Sequence, residues 1–385
     1  MIDVIEPGDA RALARALVQV DSRNPSLVRG GPGEMECVQL LQGVLHAWGF
    51  WTEIQDAAVG RPNLFARIGT PRGGRSLMFN GHLDVVGVEG MIHQPFSAEE
   101  RDGRIYGRGS ADMKGGIAAM CAAAWRAAQA GTRGEILIAA VADEEFDSIG
   151  TRALLARGIR ADAAIVTEPT RLAIMPAHRG FVWIEVEIIG RAAHGSRFDI
   201  GVDAIRHAGL LLAELDRVDA EVLPRSTHPL LGRGSLHASL IEGGTGLSTY
   251  PDRCVLKLER RTIPGERTED VLAEIERACD TVRAKRSTFE AYVRLLGAQG
   301  PSDVAVDAPI VRELEHAMEG CGEVVSVEGM SAWTDAALLN DAGIPAICYG
   351  PGDISLAHSA EEFVPLTEID RATDVLAAFA RRWGH

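Results

Sequence analysis

Three segments of this 385-residue chain each end a hydrophobic run with residues that bind cations or move protons: Gly81-His82-Leu83-Asp84, Asp143-Glu144-Glu145 and Thr167-Glu168-Pro169. Between the first two lies Gly107-Arg108-Gly109-Ser110-Ala111-Asp112-Met113-Lys114-Gly115-Gly116, which opens an alanine-rich helix. Strands that all stop at one edge of a parallel sheet would bring these groups together. Carboxylates crowded so closely repel one another unless a cation sits between them. The pattern is that of a metal-dependent hydrolase.

Each residue type has a reason to be there. His82 supplies the imidazole that zinc favours as a nitrogen donor. Asp84 shares its side of an extended backbone, and either hydrogen-bonds the other ring nitrogen or fixes neighbouring groups. Asp112 either caps the helix or bridges two ions roughly 3.5–4 Å apart. The glycines at 107, 109, 115 and 116 permit the close backbone approach that bridging needs. Glu144 and Glu145 diverge on an extended backbone, so one can bind metal while the other faces substrate as a general base. Glu168 has the same placement one strand further on. His358, a short loop after Gly350-Pro351-Gly352, closes a set of two histidines and three carboxylates.

The elements that must position these groups follow from periodicity. Helices are expected at 10–18 and 34–48, each with an apolar stripe, and strands at 63–68 and 76–80 flank a glycine-rich turn at 70–74. A helix around 115–130, strand 136–142, short helix 149–157 and strand 163–166 follow. That alternation of near-continuous apolar strands with helices indicates a parallel sheet covered by helices, with ligands bound beyond the carboxyl ends of the strands. After Pro176 the order becomes strand 182–189, helix 201–218, strands 234–242 and 252–260, helix 268–285 and strand 289–296. This is the ferredoxin-like α+β arrangement. The expected organisation is a discontinuous α/β catalytic domain, 1–177 and 297–385, with an inserted domain at 178–296. The chain returns through helices near 308–319 and 334–342, strand 345–349 and helix 367–383.

Composition narrows the partners. A hydrophobic fraction of 46% with 24% charged residues is ordinary for a globular protein. A net charge of −15 argues against a nucleic-acid or anionic-membrane surface. No apolar run approaches the roughly 18 residues of a membrane span, and Met1-Ile2-Asp3-Val4-Ile5-Glu6 lacks the basic start and apolar core of a secretory signal. The six cysteines have no zinc-ribbon or redox spacing and are expected to be buried reduced thiols. A cytoplasmic location is the simplest expectation.

From Ser22 to Val364 the chain resembles the co-catalytic zinc amidohydrolases and peptidases typified by acetylornithine deacetylase, succinyl-diaminopimelate desuccinylase, aminoacylase and the glutamate-releasing carboxypeptidases. The likeness rests on Gly81-His82-Leu83-Asp84-Val85-Val86, the Tyr106–Gly116 block and Asp143-Glu144-Glu145 taken together. It implies His82, Asp112 and Glu168 on one metal ion, Asp112, Glu145 and His358 on a second, Glu144 as general base and Asp84 as support for the site. Arg191-Ala192-Ala193-His194-Gly195-Ser196 is similar to the family segment whose histidine reaches the partner subunit's active site, which gives His194 an oxyanion-stabilising role. Arg261 matches the arginine that holds the substrate carboxylate. Ser248 stands where a substrate-contacting asparagine is usual, Gly87 where proline is usual, and Asp147 in place of a common glycine.

The resulting expectation is a homodimer, associated through the inserted domain, that hydrolyses the amide of an N-acyl amino acid with two divalent ions. Zinc is the expected metal, with cobalt and manganese as alternatives. A dipeptidase or carboxypeptidase of the same family is the second reading, and a non-catalytic binding protein that keeps the fold is the third.

Overall fold

The computed structural model describes residues 4–69 and 73–385. Part of the expected turn at 70–74, and the first three residues of the amino-terminal segment, lie outside the described residues. The chain divides into two compact units. The first comprises the chain up to Pro176 with Val304–Glu328 and Thr334–His385; the second comprises Ala177–Asp303 with Gly329–Trp333. Against the expected boundary at 296, the second unit extends to Asp303 and takes in the short 329–333 return.

In the first unit the sheet runs Trp51–Ala58, Arg61–Gly69, Glu135–Val141, Leu77–His82, Ala163–Val166 and Ala346–Cys348, followed by Ile174–His178, whose last two residues belong to the second unit. Its centre is parallel: Leu77–His82 pairs in parallel with strands on both sides, and Ala346–Cys348 extends the run. The sheet is thus mostly parallel, as expected for the catalytic domain, and its flanks are antiparallel. The reason is local, because Gly60, at φ +73°, turns Trp51–Ala58 straight back into Arg61–Gly69. Every residue of Leu77–His82 and Ala163–Val166 is buried, as strands covered on both faces must be.

The alanine-rich helix Gly115–Gln129 packs against Ala10–Val18, Leu366–Trp383 and the sheet. Its small side chains allow this close approach, and Ile117, Met120 and Ala124 are fully buried with Phe79, Ile138, Leu376 and Phe379. Asp9 begins the first helix by accepting the Ala12 amide at 3.0 Å. Five cysteines are buried thiols as expected, but Cys321, just past the helix Pro309–Gly320, is exposed.

The second unit is a four-stranded antiparallel sheet in the order Ser235–Gly243, Arg253–Thr262, Gly180–Ile189 and Glu290–Gln299. In chain order that is 2-3-1-4, with helices Ala204–Arg217 and Thr268–Lys285 filling the two crossovers. Val182, Ile184, Val186 and Ile188 alternate onto the face that packs against Leu211, Leu215, Ile275 and Val282.

Candidate metal centre

The parallel strands deliver the chemistry at their carboxyl ends. His82 is the last residue of its strand, in register with Val141 of one neighbour, while Asn80 is level with Val166 of the other. The chain therefore leaves Val141 into Asp143-Glu144-Glu145 and leaves Val166 into Glu168 on the same edge. Gly116 lets the alanine-rich helix close onto this edge, since a side chain there would collide with the Thr167 carbonyl oxygen.

Five of the expected residues meet in two overlapping groups. His82, Asp112 and Glu168 bring one ligand atom each within 4.8 Å of one another, and Asp112, Glu145 and His358 do the same. Asp112 belongs to both: its Oδ1 lies 3.0 Å from His82 Nε2, and its Oδ2 lies 3.6 Å from His358 Nε2. Each group thus offers one imidazole and two carboxylates, a donor set that suits a divalent ion. Asp112 makes no cap; its backbone is extended (φ −119°, ψ 93°), its peptide to Met113 is cis, and Lys114 sits at the helix start.

Asp84 takes the second of its two expected roles. His82 Nδ1 lies 2.9 Å from the Asp84 backbone carbonyl, which can only accept, so this nitrogen carries the proton and Nε2 faces Asp112. The Asp84 carboxylate instead accepts the amides of Glu144 (3.1 Å) and Glu145 (3.2 Å) and the side chain of Asn24 (2.8 Å). The two glutamates sit on a turn, which corrects the expectation of an extended backbone. Asp143 adopts φ +66°, and its carbonyl accepts the amides of Phe146, Asp147 and Ser148. Glu144 Oε2 nonetheless lies 4.0 Å from His82 Nε2, while Glu145 reaches His358 at 3.0 Å, so the side chains part as expected.

Proton affinities record the crowding. Burial, then the charges of Glu168, Asp335 and Glu145, hold the Glu144 carboxyl well above the usual range against the pull of His82. Burial and Asp112 do the same to Glu168, and to a lesser degree to Glu145. Burial alone would lower the imidazole of His82, but its hydrogen bond to Asp112 and the charges of Glu144, Asp112 and Glu168 raise it well above its ordinary value. The excess negative charge is what a pair of cations would neutralise.

Several residues absent from the expected set hold this centre. Arg61 lies 2.9 Å from Asp143 and 2.5 Å from Glu34, and Asn24 joins Asp143 (3.0 Å) to Asp84. Glu362 pairs with Arg108 at 2.6 Å and accepts the backbone amides of Ala111 and Asp112. Asp335, whose carboxyl burial raises to about 6 against its bond from Thr151, lies near enough to raise Glu144 and Glu168. The only sequence signal for Asn24 was a turn, Ser22-Arg23-Asn24-Pro25.

His194, Ser248 and Arg261 belong to the second unit. His194 is exposed, with Nδ1 2.8 Å from Ser196 Oγ, and it bridges to Thr249 beside Ser248, whose carbonyl accepts the Gly195 amide. Arg261 donates through Nε to Glu259 at 2.6 Å and lies 5.5 Å from the Phe181 ring centre.

A sequence profile of Peptidase family M20/M25/M40 matches residues 78–382. Acetylornithine deacetylase of Myxococcus xanthus is 33% identical over 352 residues, covering 88% of this chain and 90% of that protein. The crystal structure of aminopeptidase PepT from Bacillus cereus superposes with a TM-score of 0.80 at 22% identity, covering 99% of this chain and all of that one (100%). The YXEP protein of Bacillus subtilis, described as a dinuclear metal-binding peptidase, superposes at 0.74 with 17% identity and 97% coverage of each chain. With four-fifths of its length matched by the profile and its histidines and carboxylates gathered at the strand ends, the chain belongs to peptidase family M20/M25/M40.

Proposed function

We propose that the protein hydrolyses the amide of an N-acyl amino acid, using two divalent ions. The observation that carries this reading is Asp112, which turns one carboxylate oxygen toward each of two imidazole–carboxylate groups. His82, Asp112 and Glu168 would hold one ion, and Asp112, Glu145 and His358 the other, with zinc the expected metal. Bound there, such ions supply Lewis acidity for the scissile carbonyl and acidify water.

The chain's own groups carry the protons. Glu144 stands beside the first group, held by Asp84 through its backbone amide. It takes a proton from the attacking water and returns it to the leaving amine; a carboxylate with raised proton affinity is suited to both steps. Arg261 keeps its Nη donors for a substrate carboxylate while Nε rests on Glu259. Ser248 sits in the turn beside His194 and would contact the substrate.

The same reading assigns a homodimer formed through the second unit, in which His194 donates to the oxyanion in the partner's site. In support, the edge strand Ser235–Gly243 is largely exposed, with Leu240 62% and Ile241 59% accessible. A cytoplasmic location agrees with the reduced cysteines; among the described residues no helix is long and apolar enough to cross a membrane.

Metal analysis, with acetyl-, succinyl- and formyl-amino acids assayed against dipeptides, tests the proposal and separates deacylase from dipeptidase. Two ions per chain and loss of turnover in Glu144→Ala are expected. A metal-free protein, or hydrolysis that survives the substitution, refutes it. Mixing Glu144→Ala with His194→Ala subunits should restore activity if His194 acts across a dimer.

A further inference from the structure

Within the second unit is a cavity of about 360 Å³ whose lining includes Asp203, Arg206, His207, Tyr250, Arg286 and Thr288. None of these residues belongs to the metal-ligand groups. Glycine at 201 helps shape the cavity, because a side chain there would run into the Tyr250 ring. The helix Ala204–Arg217 begins at the cavity, and Asp203 caps it by accepting the Arg206 amide at 2.9 Å.

The charge is unbalanced here. In a chain of net charge −15, Arg217, Arg233, Arg253 and Arg261 of the same unit each pair with a carboxylate. Arg206 and Arg286 form no ion pair among the described residues. Beside them His207 is 7% exposed, with Nε2 3.4 Å from the Thr288 hydroxyl and Nδ1 without a partner. Burial lowers the His207 imidazole, and the charges of Arg286 and Arg206 lower it further against the opposing charge of Asp203. Two exposed guanidinium groups with no ion pair, facing a single carboxylate at Asp203 and beside a buried, half-satisfied imidazole, leave positive charge in excess and favour a bound anion. A guanidinium's planar fork matches the paired oxygens of a phosphoryl or carboxylate group. The amino-terminal end of the helix adds partial charge of the same sign.

We propose that this cavity binds a small oxyanion-bearing metabolite, gripped by Arg206 and Arg286 with Thr288 and His207 as uncharged partners. The inference stands apart from the proposed hydrolysis and survives its failure.

The test uses the full, metal-loaded chain and the double variant Arg206→Ala/Arg286→Ala. Each is titrated calorimetrically with inorganic phosphate in one arm and succinate in the other. Because both arginines are exposed and neither belongs to the metal-ligand groups, the variant should keep its circular dichroism spectrum and melting temperature, which shows it folded. The wild-type chain should bind at least one of the two anions, and the variant should bind it at least about tenfold more weakly. Phosphate alone would mark a phosphoryl ligand, and succinate alone a carboxylate. The His207 imidazole resonances should move on saturation in the wild-type chain and stay still in the variant. Equal affinities in the two proteins, no binding of either anion, or His207 signals indifferent to saturation would each overturn the proposal.

Discussion

The side-chain amide of Asn24 donates to the Asp84 carboxylate at 2.8 Å, and the same nitrogen reaches Asp143 at 3.0 Å. One nitrogen therefore ties together the two aspartates that frame the Glu144–Glu145 turn, Asp84 through its bonds from the glutamate amides and Asp143 through its own backbone.

Asn24→Ala should accordingly cost about 1–3 kcal/mol, the usual penalty for leaving a buried acceptor short of its donor. Urea denaturation measures this. Because the turn carries Glu144, kcat should fall more than KM changes. Asn24→Asp should be worse than alanine, since it removes the donor and sets a third negative charge against two buried ones. A stable, fully active Asn24→Ala protein would show that the turn does not depend on this link.

The carboxylate of Glu362 has two tasks, since it neutralises buried Arg108 and accepts the amides of Ala111 and Asp112 at 3.1 and 3.2 Å. Arg108 is anchored in turn on the Gly87 carbonyl. Removing this support loosens the residue that both metal groups share, and outer partners of this kind typically matter 10–100-fold in affinity, so Glu362→Ala should weaken divalent-ion binding by about that factor. Chelator competition reads the effect directly. Affinity equal to wild type would show that the Asp112 loop is held by its other contacts.

Metal binding should also depend on pH in a definite direction. In the metal-free protein the hydrogen bond to Glu145, together with the charges of Glu145, Asp112 and Glu362, outweighs burial and raises the His358 imidazole from 6.5 to about 9. His82 is raised as well. A raised imidazole stabilises the metal-free fold fully below its unfolded pKa, and that contribution is lost as pH rises through about 9. The ions require neutral imidazoles, so their affinity should increase over the same range, with protons released on binding. Zinc calorimetry at pH 7 in two buffers of different ionisation enthalpy measures the release. An identical heat in both buffers would mean the histidines are already neutral.

How legible the centre was in the sequence depended on whether a residue acts through strand position or through a long-range bond. His82, Glu145 and Glu168 follow near-continuous apolar runs, so the register of a parallel core places them together, and the sheet centre is parallel as the strand–helix alternation required. The strand Trp51–Ala58 left no such trace, because only Gln55 of it is buried and its polar residues mask any periodicity. The sequence left Asp84 two roles, and the backbone carbonyl decides between them by occupying the His82 ring nitrogen and freeing the carboxylate for the glutamate turn. Arg61 reaches Glu34 across 27 residues of sequence, Asn24 reaches Asp84 and Asp143 across 60 and 119, and Glu362 reaches Asp112 across 250, and no spacing rule joins such positions.

Gly116 offers a test in which two ordinary rules oppose each other. Alanine is preferred to glycine inside a helix by about 1 kcal/mol, so Gly116→Ala would stabilise the alanine-rich helix if space allowed. Space does not allow it. The added carbon would meet the carbonyl oxygen and carbonyl carbon of Thr167, backbone atoms that cannot swing aside. The helix and the strand end carrying Glu168 must then separate, at the cost of about 1–3 kcal/mol typical of an overfilled core. Gly116→Ala should therefore lower the melting temperature despite its better helix propensity, and weaken metal binding through Glu168. A higher melting temperature would mean that the helix does not press on this strand end, and that another contact sets the position of Glu168.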